Sequence, residues 1–294
     1  MNNTFSPTRA LVLGGGGSTG NAWLIGIVAG LFEAGVDVTT ADLTIGTSAG
    51  ATAAAQLAGA ATAELYALTV APPPARPDPR QGPAFSSRPG VDHLERTGRI
   101  IAESADAADM RRRMGTSAIE LAVADPDWQP RWRRTVAARL PDPRWPERPV
   151  QLTVVDARTG EGVALDRDSG VDLVDAVAAS TAGGAAYRIG EDWYIDGGYR
   201  TNADNADLAA GFDRVLVLSP FGGRTRTPAE WGLDLATQVE ALRAEGSRVE
   251  VVGPPAEAEH LFVHAMNAAL RPAAAETGHA QGLALAASLD EFWR

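Results

Sequence analysis

The chain has 294 residues, no cysteine and a formal net charge of −11, and its 26 basic residues are all arginine. That composition excludes disulfides, thiolate nucleophiles, thiolate metal sites, a Walker lysine, a lysine Schiff base and a Ser-Lys pair. The acidic balance disfavours non-specific nucleic-acid binding, and no apolar run approaches the ~18 residues that would span a bilayer.

Along the chain, "RALVLG" from Arg9 to Gly14 has the pattern of a short buried strand. A glycine loop follows, and then a helical run from about Asn21 to Ala34 that Gly35 would stop. "DLTIG" from Asp42 to Gly46 reads as a second strand, and Ser48 to Leu57 as a second helix. Strands alternating with helices predict a parallel sheet covered on both faces. "APPPARPDPRQGP" from Ala71 to Pro83 is too rich in proline for regular structure. Helical but weakly periodic sequence runs from about Val91 to Leu140, and "LPDPRWPERP" closes it. Residues 60–149 are therefore expected to be a helical insertion after the second helix, within a single domain over 1–294. Two strand runs joined by a turn follow in "VQLTVVDARTGEGVALD", then a helix at Val171 to Ser180 and a strand ending in "WYIDGG". "DRVLVLSP" and "RVEVVGP" are the last two strands, and there is no internal repeat.

"GTSAG", Gly46 to Gly50, places Ser48 in a Gly-x-Ser-x-Gly turn between strand and helix. Such a turn is so tight that Gly46 and Gly50 are needed to clear space, and it lifts the serine to the positive end of a helix. "GTSAI" at Gly115 to Ile119 lacks the preceding strand and the second glycine, so Ser117 is read as an ordinary residue. "LGGGGSTGNAW", Leu13 to Trp23, admits two uses. One is a nucleotide cradle, for which only the frame Gly15, Gly17, Gly20 fits and no acidic residue closes a following strand at the required distance. The other is an oxyanion hole beside Ser48, with amides unobstructed by side chains.

The chain has four histidines, His93, His260, His264 and His279. A Ser-Asp-His triad could use one of the last three, although the elbow comes too early for the α/β-hydrolase order. His260 and His264 are spaced i, i+4, but Leu261 stands where a zinc protease carries glutamate, so no metal site is expected. The other base is Asp196, at a strand end before Gly197 and Gly198, where burial could raise its pKa toward a useful range.

The glycine loop, the early "GTSAG" and the late "DGG", in that order, resemble the patatin-like phospholipases, as does "TNADNADLAAGFDRVLVLS" after the aspartate. The resemblance covers roughly residues 9–60 and 150–220. It implies a three-layer α/β sandwich with a mainly parallel central sheet. It also implies Ser48 as nucleophile, Asp196 as general base and the amides of Gly15, Gly16 and Gly17 as the oxyanion hole. Thr19 stands where the family usually has a basic residue, and the proline usual before the aspartate strand is absent from "ASTAGGAAYRIG". The expected activity is hydrolysis of carboxylic esters of lipids, phospholipase A-like or esterase, through an acyl-enzyme and without a cofactor or metal. The alternatives are a catalytically silent lipid-binding module and a nucleotide-binding protein.

"DWQPRWRRTVAARLPDPRWPERP" combines Trp128, Trp132 and Trp145 with many arginines. It suits transient contact with a membrane or micelle surface, a lid over an acyl cleft, or a helix packed on the sheet. The N-terminus lacks the anatomy of a signal peptide, so the expected compartment is the cytoplasm.

Overall fold

The computed structural model describes residues 8–72 and 89–294. The N-terminal segment, and the proline-rich stretch beyond Pro72, lie outside the described residues. In chain order the elements are β1 (Arg9–Leu13), α1 (Gly17–Glu33), β2 (Leu43–Gly46), α2 (Ala49–Gly59), α3 (Thr62–Val70), α4 (Pro89–Glu103), α5 (Ala107–Ala124) and α6 (Trp128–Ala137). They continue with β3 (Val150–Asp156), β4 (Gly162–Leu165), α7 (Leu173–Ser180), β5 (Tyr187–Ile189), β6 (Asp192–Asp196) and β7 (Arg214–Leu218). The last are α8 (Leu235–Ala244), β8 (Arg248–Val252), α9 (Glu259–Val263) and α10 (Arg271–Trp293).

One sheet joins the strands in the order β5-β6-β3-β2-β1-β7-β8, with β4 also paired to β3. The run from β3 through β2, β1 and β7 to β8 is parallel, and β4, β5 and β6 are antiparallel additions. Alternation along the strands builds two cores. Leu11, Leu13, Leu152, Val154, Leu216 and Leu218 face one helical layer, which includes α1, α2, α7 and α10. Ala10, Val12, Ile45, Val215 and Val217 face α8 on the other side. The result is the expected three-layer α/β sandwich. Among the described residues no helix is long and apolar enough to cross a membrane.

α1 starts at Gly17, before the expected Asn21, so the loop after β1 is only Gly14–Gly16. Thr19 through Leu31 are all buried, as befits a helix apolar on every side. α1 is covered by the sheet and by α10, which approaches it backbone to backbone. A Cβ on Gly26 would overlap the carbonyl of Ala275, on Gly278 that of Trp23, and on Gly282 that of Ile27. Two pairs of glycines four residues apart, Gly26/Gly30 and Gly278/Gly282, make this close crossing.

The tryptophans of the arginine-rich segment turn inward. Trp132 donates its indole N–H to the Ala178 carbonyl (3.1 Å) and Trp145 to that of Val171 (2.7 Å), while Trp128 packs beside Trp132 against the core. "GTSAI" lies inside α5, where Gly115 lets the helix touch the Ala157 backbone and Ser117 accepts from Arg96 (2.8 Å).

Gly278→Val would force α10 off α1. Overpacking of this kind costs about 1–3 kcal/mol, and thermal unfolding should show a melting temperature lowered by several degrees. Substitution of Gly184, whose Cβ would meet nothing nearby, should leave the melting temperature almost unchanged.

Candidate active site

Register places the site. Leu152 of β3 pairs with both Gly46 of β2 and Leu165 of β4, and Val154 pairs with both Val163 of β4 and Asp196 of β6. A strand has two edges, so β4 occupies one, and β2 and then β6 occupy the other. β2 runs parallel to β3 and β6 antiparallel, so their C-terminal ends meet head-on across Thr153. Ser48 follows the end of one strand, and Asp196 ends the other.

The two side chains are in direct contact: Ser48 Oγ donates to Asp196 Oδ2 at 2.7 Å. Ser48 has φ 53° and ψ −111°, a left-handed conformation uncommon for a residue with a side chain. Its surroundings enforce that geometry. A Cβ on Gly50 would overlap the Leu13 carbonyl, and one on Gly46 would lie 2.7 Å from Ala51 Cα. The Ser48 N–H donates to Ser180 Oγ (3.0 Å), tying the elbow to the end of α7.

Asp196 receives a second bond, from the Gly198 N–H to Oδ1 (2.8 Å). The surrounding protein desolvates the carboxyl and lifts its pKa to about 6, against the opposite pull of the bonds from Gly198 and Ser48. Below the pair lies a buried polar cluster. Thr153 Oγ1 donates to Thr47 Oγ1 (2.8 Å), and Asn205 Nδ2 reaches Thr47 Oγ1 (3.0 Å) and the Gly197 carbonyl (2.9 Å). Asn205, at φ 54°, therefore links the residue before Ser48 to the residue after Asp196. Gly197 has no space for a side chain because Thr153 lies against it.

The glycine loop stands over Ser48: a Cβ on Gly15 would be 3.5 Å from Ser48 Cβ. Its amides are not equivalent. Gly15 N–H is bonded to the Ala203 carbonyl (2.6 Å), whereas those of Gly16 and Gly17 have no acceptor among the described residues. Gly17 is left-handed, with φ 63°. Over it passes the segment following α9, with Ala265 taking the Thr19 N–H (2.9 Å) and Met266 beside Gly17. Val263 and Met266 of this rim are 73% and 75% exposed.

His264 falls within this rim, between Val263 and Ala265, and the other three histidines lie elsewhere. His279 bonds Glu33 and stacks on Tyr66, His260 contacts the Glu257 carbonyl and His93 contacts Arg96. Among the described residues no group of three potential metal ligands is assembled.

Sequence reasoning brought forward Ser48, Asp196 and the glycines, and it missed Thr47, Thr153, Ser180, Asn205 and the 263–266 rim. A threonine inside the apolar run "VQLTVVD" was a readable sign of a buried polar contact. Nothing local marked Asn205 or Met266.

A model of the patatin-like phospholipase family matches residues 11–209. The chain belongs to that family. The match takes in Ser48, Asp196, the glycine loop and Asn205, and ends before the rim that covers Gly17. No curated protein matches the chain. Solved structures similar to this patatin-like chain include VipD from Legionella pneumophila, with TM-score 0.43 and 12% identity over 96% of this chain and 67% of that one. They also include the type III effector protein ExoU, with TM-score 0.34 and 15% identity over 94% of this chain and 53% of that one.

The raised pKa of Asp196 makes the ionised site costly to the fold. The folded value, about 6, lies above the ordinary 3.8, so the folded chain holds an extra proton between those values. Stability from this group is present below 3.8 and is lost as pH rises to about 6. At 1.36 kcal/mol per unit the loss is about 3 kcal/mol. Asp196→Asn should therefore melt above the parent at pH 8, and the difference should vanish near pH 4. A difference independent of pH would contradict this account.

Proposed function

We propose that this chain is a carboxylic ester hydrolase acting on lipids, with Ser48 as nucleophile and Asp196 as its proton acceptor. The observation that carries the reading is the 2.7 Å bond from Ser48 Oγ to a desolvated carboxylate. Membership of a phospholipase family supports the lipid ester as substrate class.

Ser48 Oγ attacks the ester carbonyl carbon while its proton passes to Asp196 Oδ2. Charge develops on the carbonyl oxygen, and the N–H groups of Gly16 and Gly17 are the donors of the glycine loop free to receive it. Collapse of the tetrahedral intermediate breaks the bond to the alcohol, which leaves with the proton held by Asp196. Water then attacks the acyl-enzyme, again losing a proton to Asp196, and a carboxylic acid departs as Ser48 regains its hydrogen. A carboxylate with a pKa near 6 suits this cycle at neutral pH: it is ionised at rest and a better base than an exposed aspartate. The left-handed backbone of Ser48 holds Oγ in position before substrate arrives.

With a short-chain nitrophenyl ester, Ser48→Ala and Asp196→Ala should each lower kcat by about 10³-fold or more, as for other paired catalytic groups. The parent rate should rise with pH through a midpoint near 6 and level above it. Undiminished turnover by Ser48→Ala would overturn the mechanism. Lipid binding without turnover by the parent would leave a silent binding module in its place.

A further inference from the structure

The chain has four methionines and no cysteine. Met110 and Met114 on α5 are 1% and 2% exposed, packed with Val155, Ala157 and Ile195. Met1 lies outside the described residues. Met266 is 75% exposed, and it is the one exposed methionine among the described residues.

The fold fixes where Met266 sits. The Ala265 carbonyl, one residue before it, accepts the Thr19 N–H (2.9 Å) and the Thr19 hydroxyl (3.4 Å). Farther along, Arg271 Nη1 donates to the Ser18 carbonyl (2.8 Å). Both anchors lie in the first turn of α1, so the segment between them is drawn across the start of that helix. Within it the Asn267 N–H donates to the His264 carbonyl (2.8 Å), which closes a turn around Met266. A Cβ on Gly17 would lie 3.0 Å from Met266 Sδ, so the thioether rests against the residue whose N–H is free among the described residues. The side chain touches the glycine loop at its sulfur and is otherwise open to solvent.

In a chain without thiols, an exposed thioether is the side chain most open to a peroxide. The S–O bond forms as the O–O bond breaks, with its electron pair on the departing hydroxide. The transferred oxygen passes its proton to that hydroxide, giving a sulfoxide and water. Sulfur is oxidised by two electrons and the peroxide is reduced by two. A thioether accepts hydrogen bonds weakly, whereas a sulfoxide is polar and its oxygen accepts strongly. At the first residue of α1, where the helix dipole is positive and amides are unpaired, such an oxygen is drawn to the N–H groups. The amide within its reach belongs to Gly17, one of the two free donors of the glycine loop.

We propose that Met266 is an oxidation site that shuts the ester site, its sulfoxide taking the Gly17 N–H and withdrawing that donor from the substrate carbonyl. This rests on the ester-hydrolase reading above. It adds to that reading a reversible redox control, carried by a residue outside the family match.

The test incubates the parent and Met266→Leu with hydrogen peroxide, maps both by peptide mass spectrometry and assays nitrophenyl butyrate, each against its own untreated rate. Met266 should gain one oxygen at least about tenfold faster than Met110 and Met114, because reaction follows exposure. The parent kcat should then fall about tenfold or more with KM little changed, since loss of one oxyanion donor costs about 10²–10³-fold. Methionine sulfoxide reductases A and B with dithiothreitol should restore it, and Met266→Leu should keep its untreated rate throughout. In Ser48→Ala, which reads the contact without turnover, the Gly17 amide resonance should move on oxidation while those of Gly183 and Gly184 stay. Equal oxidation of the three methionines, full activity with Met266 oxidised, an unmoved Gly17 resonance or equal inactivation of Met266→Leu would each overturn the proposal. A parent inactive on the ester before treatment would instead overturn the hydrolase reading. The peptide map and the Gly17 resonance would then decide the oxidation site by themselves.

Discussion

The site depends on one constraint, the end-to-end meeting of β2 and β6 along a single edge of β3. Because β2 is parallel to β3 and β6 antiparallel, each delivers its C-terminal residue to the same gap, from opposite directions. Hydrogen-bonded register is rigid over such short distances, since a slip of one residue would turn every side chain to the other face. The serine and the aspartate, 148 positions apart, are thereby brought to 2.7 Å without a long loop having to find its way.

The gap between two strand ends leaves backbone groups and the Thr153 hydroxyl buried without a regular ladder. Thr47, Thr153 and Asn205 fill it with hydrogen bonds that run under the Ser48–Asp196 pair. Strain and burial are concentrated there together: a left-handed serine, a left-handed asparagine and a carboxylate whose ionisation opposes folding. Features of this kind persist only where surrounding packing over-determines them. Here that packing comes from glycines whose absent side chains let α2 lie on β1 and the turn after β6 lie on β3.

The region after residue 209, beyond the family match, contributes more than a closing layer. α10 lies against α1 through paired glycines, and this fixes the helix that carries the free loop amides. The same helix begins with Arg271, and the segment before it sets Ala265 and Met266 over Gly17. The C-terminal elements therefore form the outer wall of a candidate site whose Ser48–Asp196 pair lies within the residues the family model matches.

Much of this was legible in the order of residues. Strand-turn-helix signals are local, and "GTSAG", "GGGG" and "DGG" each state a steric demand that only glycine meets, so the elbow, the loop and the aspartate could be named. α1 was placed too late because a run of glycines reads as loop, whereas tertiary contacts with Pro220 and α10 hold Gly17 to Gly20 in a helix. By composition the tryptophans of this segment suited a surface contact, a lid or packing on the sheet alike, and the carbonyl partners of the Trp132 and Trp145 indole N–H groups exist only in the folded chain. The assignment of individual amides likewise waited for the fold: Gly15 is engaged by Ala203, nearly two hundred residues away in sequence, and that leaves Gly16 and Gly17. Local sequence determines what a turn can accommodate, because sterics act between neighbours. Which distant carbonyl, hydroxyl or guanidinium arrives there is decided by the register of the sheet and the packing of helices upon it.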